Sequence, residues 1–543
     1  MLFGSFVILG QPFFVMRSPL FVICLCITTV SSHLLSAQPD RVPVNPVARY
    51  DAYVQQAILD WRVPGLTVTV VKDGKVLLKK GYGVRAVGNK AEPVNSQTLF
   101  AMASTTKAMT AACLGMLVDE GKLNWDDPVT RYLPDFQLYD PAVTRDLRVR
   151  DLLTHNAGLG NADFLWTAMQ IPASEMLYRL RLLKPAYSLR SSFIYQNIMY
   201  LAAGKVIEKA SGLPWETFIR QRIFEPLGMN RTRAFFRDVA DANRAKPHVM
   251  RNDTVRIVDS RSEEESVDAI GPAGSVWSCP DDLVAWMQCM LDTGRYGSGE
   301  AQKKQLLKPA TWVELFQPQT IVPDGQFYPT QQLTKPAWKT YSLGWFQHDY
   351  RGHRVNFHTG SLTGMIALHG QLPDKKLAVY VLGNLDHAEL RHALMYRAFD
   401  EFGLVEAGSG ALPDWSASFR QLYRGLEQRT KQAMRNADSA RVLNTKPSLP
   451  ISAYAGSYID PLYGKAVVSV ENGQLRISVN NLVTGNLTHW HFNSFRLAYD
   501  QFWNGIDLIG FILDSGGKVA KLSWGGAELT RVHDIPNKDG SGR

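Results

Sequence analysis

Ser104 and Lys107 stand one helical turn apart in the stretch AMASTTKAMTAACLGML, residues 101–117. Two chemistries fit that spacing. A serine at a helix start caps free backbone N–H groups, with the lysine a neighbouring cation. Alternatively the serine is a nucleophile. Its Oγ then lies near unpaired N–H groups and the positive end of the helix dipole, which stabilise an oxyanion once the serine attacks a carbonyl. A lysine three residues on shares the same face, and enclosure by apolar side chains lowers its pKa until it can take or relay the serine proton. The roles are compatible, and Ser104 is expected to fill both. Two more clusters stand out: Tyr195-Gln196-Asn197, before an apolar helical run, and His358-Thr359-Gly360-Ser361, where a strand pattern gives way to a short loop.

These residues need a frame. The segment GLTVTVVKDGKVLLKKGYG (65–83) predicts a β-hairpin, because two β-branched, apolar-rich runs flank Asp73-Gly74, a dipeptide favoured in two-residue turns. After Ser104, the positions Met109, Ala112, Cys113, Met116 and Leu117 predict a helix with one buried stripe that stops near Gly121. Residues 125–300 are mostly helical in pattern, and Ser278-Cys279-Pro280-Asp281 reads as a capping box leading into LVAWMQCML. Strand patterns return in HRVNFHTG, MIALHGQL and KLAVYVLGN, and a helix closes the region near residue 403. Strands from both ends with helices between them predict an α+β domain over 38–403. It would hold an antiparallel sheet flanked by helices and a mainly helical subdomain. Residues 404–449 predict a helical, Pro-containing linker. From 450 to 535, short alternating runs between Asn-Gly and Gly-Gly turns predict a small β-barrel or sandwich, with a disordered tail over 536–543.

The order Ser-x-x-Lys, Tyr-x-Asn, (Lys/His)-Thr-Gly resembles the class C β-lactamase and penicillin-binding-protein superfamily of serine hydrolases. LLTHNAGL (152–159) is similar to that family's LLTHTSGL loop, and IFEPLGM, GPAGSVWSCPDDL and YSLGW follow in the expected order. The resemblance implies that Ser104 is acylated, that Lys107 holds the proton network, and that Tyr195, as phenolate or through a proton shared with Lys107, is general base and then acid. It implies that Asn197 orients substrate and the Lys ammonium, and that the N–H groups of Ser104 and Ser361 form the oxyanion hole. The strand through His358, Thr359, Gly360 and Ser361 would pair edge-on with substrate. Many β-lactamases carry Lys where this chain has His358, and a histidine is largely neutral near pH 7. That departure favours a D-amino-acid peptidase, esterase or amidase over a dedicated β-lactamase. The resemblance also makes His155 a structural hydrogen-bonder, leaves the direction of Gln196 open, and likens the β domain to an appended lipocalin-like domain. A binding protein or weakly catalytic sensor is the alternative to an enzyme.

The remaining features bound the function. Lys and Arg number 59 against 50 Asp and Glu, for a net charge of +9. That charge is spread without basic runs or aromatic–basic interleaving, so no nucleic-acid partner is expected. The substrate would be a small molecule or peptide, and a homo-oligomer stays open. Arg17, the run LFVICLCITTV and the small residues Ser36 and Ala37 predict a secretory signal over 1–37, with an uncleaved membrane anchor as the rival. Either makes the protein exported, to a periplasm or outside the cell. Cys113, Cys279 and Cys289 remain after cleavage, an odd number without metal spacing. His489 and His491 lie on one strand without a third ligand, so a packed or surface pair is expected, and no metal or organic cofactor is implied.

Overall fold

Asn45 starts the first helix, α1 (Pro46–Trp61): its side chain accepts from the Val47 N–H at 2.9 Å, and Pro46 supplies a preset φ where no donor is needed. The hairpin follows as β1 (Gly65–Lys72) and β2 (Lys75–Gly83). Asp73 and Gly74 take φ of 50° and 74°, both positive as a two-residue turn of matching twist requires. The computed structural model describes residues 45–88, 92–240, 242–405, 411–479 and 483–532. The expected signal or anchor over 1–37 and the expected tail over 536–543 lie outside the described residues.

Helices dominate from here to residue 291. The elements used below are α2 (Thr106–Asp119), a short α3 (Phe164–Thr167), α4 (Ile198–Ser211) and α5 (Pro280–Leu291). The predicted single stripe of α2 is too narrow. Every residue from Thr106 to Leu117 is buried, because α4, the turn Gly271–Gly274 and the helix Pro309–Leu315 all pack against α2. Thr110 Oγ1 donates to the Pro272 carbonyl at 2.7 Å, so even a polar residue is satisfied inside the core. The capping box at Ser278 does not form. Ser278 belongs to a two-residue strand paired with Phe100–Ala101, and its hydroxyl meets Thr232 Oγ1 at 2.8 Å while Cys279 takes the cap position. Strand pairing turns that serine into the core before it can reach the helix.

The sheet is completed by β3 (Thr320–Ile321), β4 (Lys339–Tyr341), β5 (Phe346–Tyr350), β6 (His353–Leu362), β7 (Met365–Leu372) and β8 (Leu377–Gly383). All its pairings are antiparallel, in the order β2-β1-β8-β7-β6-β5-β4-β3. The first hairpin therefore docks on the last strand, with Val68 opposite Val381 and Val70 opposite Val379. Helix α5 covers one face. The other is covered by α1 and α6 (Leu390–Phe399), with α6 also carrying the first turn of α7 (Trp415–Ser439). Trp415 and Phe419 are buried in that first turn, so the expected linker starts as part of the first domain's core.

The C-terminal region is a closed, eight-stranded antiparallel barrel. Its strands are β9 (Gly456–Asp460), β10 (Gly464–Glu471), β11 (Gln474–Val479), β12 (Val483–His491), β13 (Ser494–Tyr499), β14 (Ile506–Leu513), β15 (Val519–Trp524) and β16 (Ala527–Val532). Closure comes from Ser457–Ile459 pairing with Thr530–Val532, which removes both edges. Its core takes in Phe164, Ala168 and Met169 from the first domain. His489 and His491 flank a bulge and go separate ways: His489 Nε2 meets the Phe492 carbonyl, and His491 Nδ1 accepts from the Val442 N–H. Among the described residues no helix is long and apolar enough to cross a membrane.

Candidate active site

Ser104 sits in the 3₁₀ turn Ala103–Thr105 that runs directly into α2. Ala103 holds φ of 46°, a strained value for a residue with a Cβ. Thr105 braces the turn, its hydroxyl bonding to the Met102 carbonyl at 2.8 Å and pairing with Tyr380 Oη at 2.6 Å. The expected capping role of Ser104 is not seen. No side chain caps either segment, because the Ser104 hydroxyl instead faces Lys107, whose Nζ donates to Oγ at 3.0 Å.

Lys107 is fully buried. Its Nζ also donates to Asn197 Oδ1 at 2.7 Å and to the Ala273 carbonyl at 2.8 Å, and lies 4.8 and 5.2 Å from the ring centroids of Tyr195 and Tyr200. Burial pushes its pKa well below the usual lysine value, and the Asp163 carboxylate opposes that shift. Burial drives Tyr195 the other way, well above 10, with Ser104 as the neighbour that lowers it. The two directions together describe a neutral phenol beside an amine ready to be neutral. The buried Tyr195 hydroxyl closes no hydrogen bond of good geometry.

Asn197 is the residue from which α4 starts. Its Oδ1 takes the Lys107 bond, and its Nδ2 donates to Oδ1 and Oδ2 of Asp163, each at 3.0 Å. Gln196 is buried, and its side chain donates to the Gly160 carbonyl, which settles its direction as inward. Its N–H donates to His155 Nδ1 at 2.9 Å. His155 is thus the expected structural hydrogen-bonder, and its ring lies 4.2 Å from that of Tyr195. Burial and the Lys107 charge hold it neutral.

Strand β6 brings in the last cluster. Its partner β5 ends at Phe346, opposite Phe357, so among the described residues no strand pairs with His358 to Leu362 on that edge. His358 Nδ1 lies 2.6 Å from the Thr359 carbonyl and Nε2 lies 3.0 Å from Tyr341 Oη. A carbonyl only accepts, so Nδ1 carries the proton and Nε2 receives one from Tyr341. Burial and the Lys107 charge push its pKa down to about 3. With both nitrogens engaged and the ring 1% exposed, His358 offers the site backbone rather than a cation. Thr359 Oγ1 pairs with Tyr328 Oη at 2.5 Å. The Arg391 guanidinium donates to the Gly360 carbonyl at 2.6 Å and to Ser361 Oγ at 2.9 Å, and its charge is met by Glu389 at 3.0 Å.

Gly360 lets this strand touch the nucleophile turn. A Cβ there would lie 2.3 Å from the Met102 carbonyl oxygen, 2.9 Å from Ala103 Cβ and 3.0 Å from Ser104 N. The Gly360→Ala variant is expected to push β6 away from Ser104 and lower kcat/KM about 10²-fold, the scale of an ångström-sized misplacement. Steady-state kinetics on folded variant checks this; wild-type activity would mean the strand does not help form the site.

All eight expected site residues converge here: Ser104, Lys107, Tyr195, Asn197, His358, Thr359, Gly360 and Ser361. Asp163, Tyr328, Tyr341, Glu389 and Arg391 join them without a sequence prediction. Arg391 did carry a signal, since a charged residue inside the apolar run LRHALMYRAF is a buried-pair candidate. Asp163, in the loop NADFLW, carried none.

The sequence profile of the Beta-lactamase family matches residues 50–401, and that of a domain of unknown function (DUF3471) matches 440–535. Unguisins hydrolase of Aspergillus violaceofuscus is 25% identical over 466 residues, covering 81% of this chain and 80% of that protein. Its namesake in Aspergillus campestris is 27% identical over 432 residues, 76% of each chain. The octameric penicillin-binding protein homologue from Pyrococcus abyssi superposes with a TM-score of 0.56 at 20% identity, over 89% of this chain and all of that one.

Proposed function

The chain belongs to the Beta-lactamase family of serine hydrolases, and we propose that it cleaves an amide or ester through an acyl-enzyme on Ser104. The observation that carries this reading is the fully buried Lys107 Nζ, held between Ser104 Oγ and Asn197 Oδ1. Burial eases the loss of the Lys107 proton; once it has gone, Nζ accepts from Ser104 Oγ instead of donating to it, and the Ser104 proton passes to the amine as the Oγ–carbon bond forms. The N–H groups of Ser104 and Ser361 receive the developing oxyanion. Tyr195 then protonates the leaving group as the scissile bond breaks, and recovers a proton from Lys107. Water repeats the sequence against the acyl-enzyme, and Ser104 leaves with its proton restored. Proton transfer by positioned groups supplies about 10²–10⁴-fold of the rate.

The electrostatics favour a substrate without a carboxylate beside the scissile bond. His358 is neutral, and the Arg391 charge is already met by Glu389. The two fungal relatives named for hydrolysis of unguisins support a hydrolytic role over pure binding. A matched pair tests the substrate class: N-acetyl-D-alanyl thioglycolate, with a free carboxylate, and its carboxamide. The carboxamide is expected to show at least tenfold higher kcat/KM. The reverse ranking would assign the site to carboxylate-bearing peptides or β-lactams.

A further inference from the structure

The segment around residue 163 faces both domains. On one side the Asp163 carboxylate accepts from Asn197 Nδ2, from Trp166 Nε1 at 2.9 Å and from Asn161 Nδ2 at 3.1 Å. A carboxylate has only acceptors, so it forces the NH₂ end of Asn197 toward itself and the oxygen toward Lys107. A flipped amide would set donors against the Lys107 ammonium.

The next residue points the other way. The Phe164 ring meets Tyr463 and Trp524 of the barrel, with centroids 5.5 and 5.9 Å apart and rings near perpendicular, a favourable edge arrangement. Met169 fits over Gly464, where a Cβ would fall 2.1 Å from its Cε. Arg179 Nη1 donates to the Leu462 carbonyl at 3.0 Å. The barrel turn that includes residues 462–464 therefore grips the same short stretch that presents Asp163.

We propose that Asp163 is a positioning residue for Lys107, and that the C-terminal barrel, by holding Phe164 and Met169, keeps Asp163 in place and so sets the turnover of the hydrolase. This rests on Lys107 being the proton acceptor. The groups facing Lys107 are Ser104 on its own turn, Tyr195, Asn197 and Tyr200 at the start of α4, the Ala273 carbonyl, His155, and His358 on β6. Of these the histidines are neutral, and Asp163 is the carboxylate whose charge raises the Lys107 pKa.

The full chain and its variants are tested with a p-nitrophenyl ester across pH, alongside fluorophosphonate labelling and thermal melting. Asp163→Asn is expected to lower kcat 10- to 100-fold with KM changed less than threefold. Its acid limb should move to lower pH, because Lys107 loses the charge that favours its protonated form. Phe164→Ala should lower kcat at least fivefold and move the limb the same way. Phe164→Leu, which keeps the apolar filling, should recover most of the loss and guards against misfolding of the alanine variant. Leu508→Ala, on the exposed outside of the barrel, should behave as wild type. Folded Asp163→Asn with an unmoved limb would overturn the positioning role. Folded Phe164 variants with wild-type kcat and limb would overturn the barrel's part. Wild-type protein that neither labels nor turns over would instead defeat the hydrolase reading beneath both.

Discussion

Ser104→Ala abolishes turnover: kcat/KM for a p-nitrophenyl ester is expected to fall by about 10⁴-fold or more, the scale on which nucleophile loss is felt in triad hydrolases. Covalent labelling by a fluorophosphonate should disappear with it. The fold should survive, because the Ser104 hydroxyl caps no helix and Lys107 keeps two acceptors, Asn197 Oδ1 and the Ala273 carbonyl. The melting temperature is therefore expected within a degree or two of wild type. A true capping serine would cost about 1 kcal/mol on replacement, so the melt separates the two roles first weighed for this residue. Activity or labelling retained in the alanine variant would place the nucleophile elsewhere.

Tyr195→Phe carries the second large effect. Removing one oxygen is expected to lower kcat/KM about 10³-fold, within the range for general acid–base catalysis. Stability should hold or rise, since the hydroxyl is buried without a good hydrogen bond and such a group costs about 1–3 kcal/mol of desolvation. The ring keeps its contacts with His155 and Phe346. A variant more stable yet inactive marks a hydroxyl kept for chemistry. If Tyr195→Phe turns over normally, Lys107 alone handles both protons, and calorimetry beside kinetics distinguishes these outcomes.

How far these residues could be read in advance depends on the range over which each is specified. Ser104 and Lys107 share a turn, and Asp73-Gly74 closes its hairpin by local geometry alone, so both stood out in the sequence. Tyr195 and His358 were found because type and order survive where contacts are invisible. Asp163 was not, since its partner Asn197 lies 34 positions away and nothing periodic links the two. Ser278 misled for the opposite reason: its local pattern was right for a cap, and a long-range strand pairing with Phe100 overrode it. The alternation after residue 450 announced strands, yet barrel against sandwich was decided by residues 457–459 meeting 530–532.

The pairing of the first hairpin with the last strand of the main sheet has a consequence in time. Strand β1 is buried along nearly its whole length, but its partner β8 lies roughly 300 residues later in the chain. At about 5–20 residues per second of synthesis, the edge of LTVTVV waits roughly 15–60 s for Val379 and Val381. An unpaired edge of that composition is a template for pairing with other chains. The newborn chain thus carries an unpaired β1 edge until residue 383 has been made. Yield of soluble protein should accordingly respond to chaperone supply and growth temperature before it responds to any change at the active site.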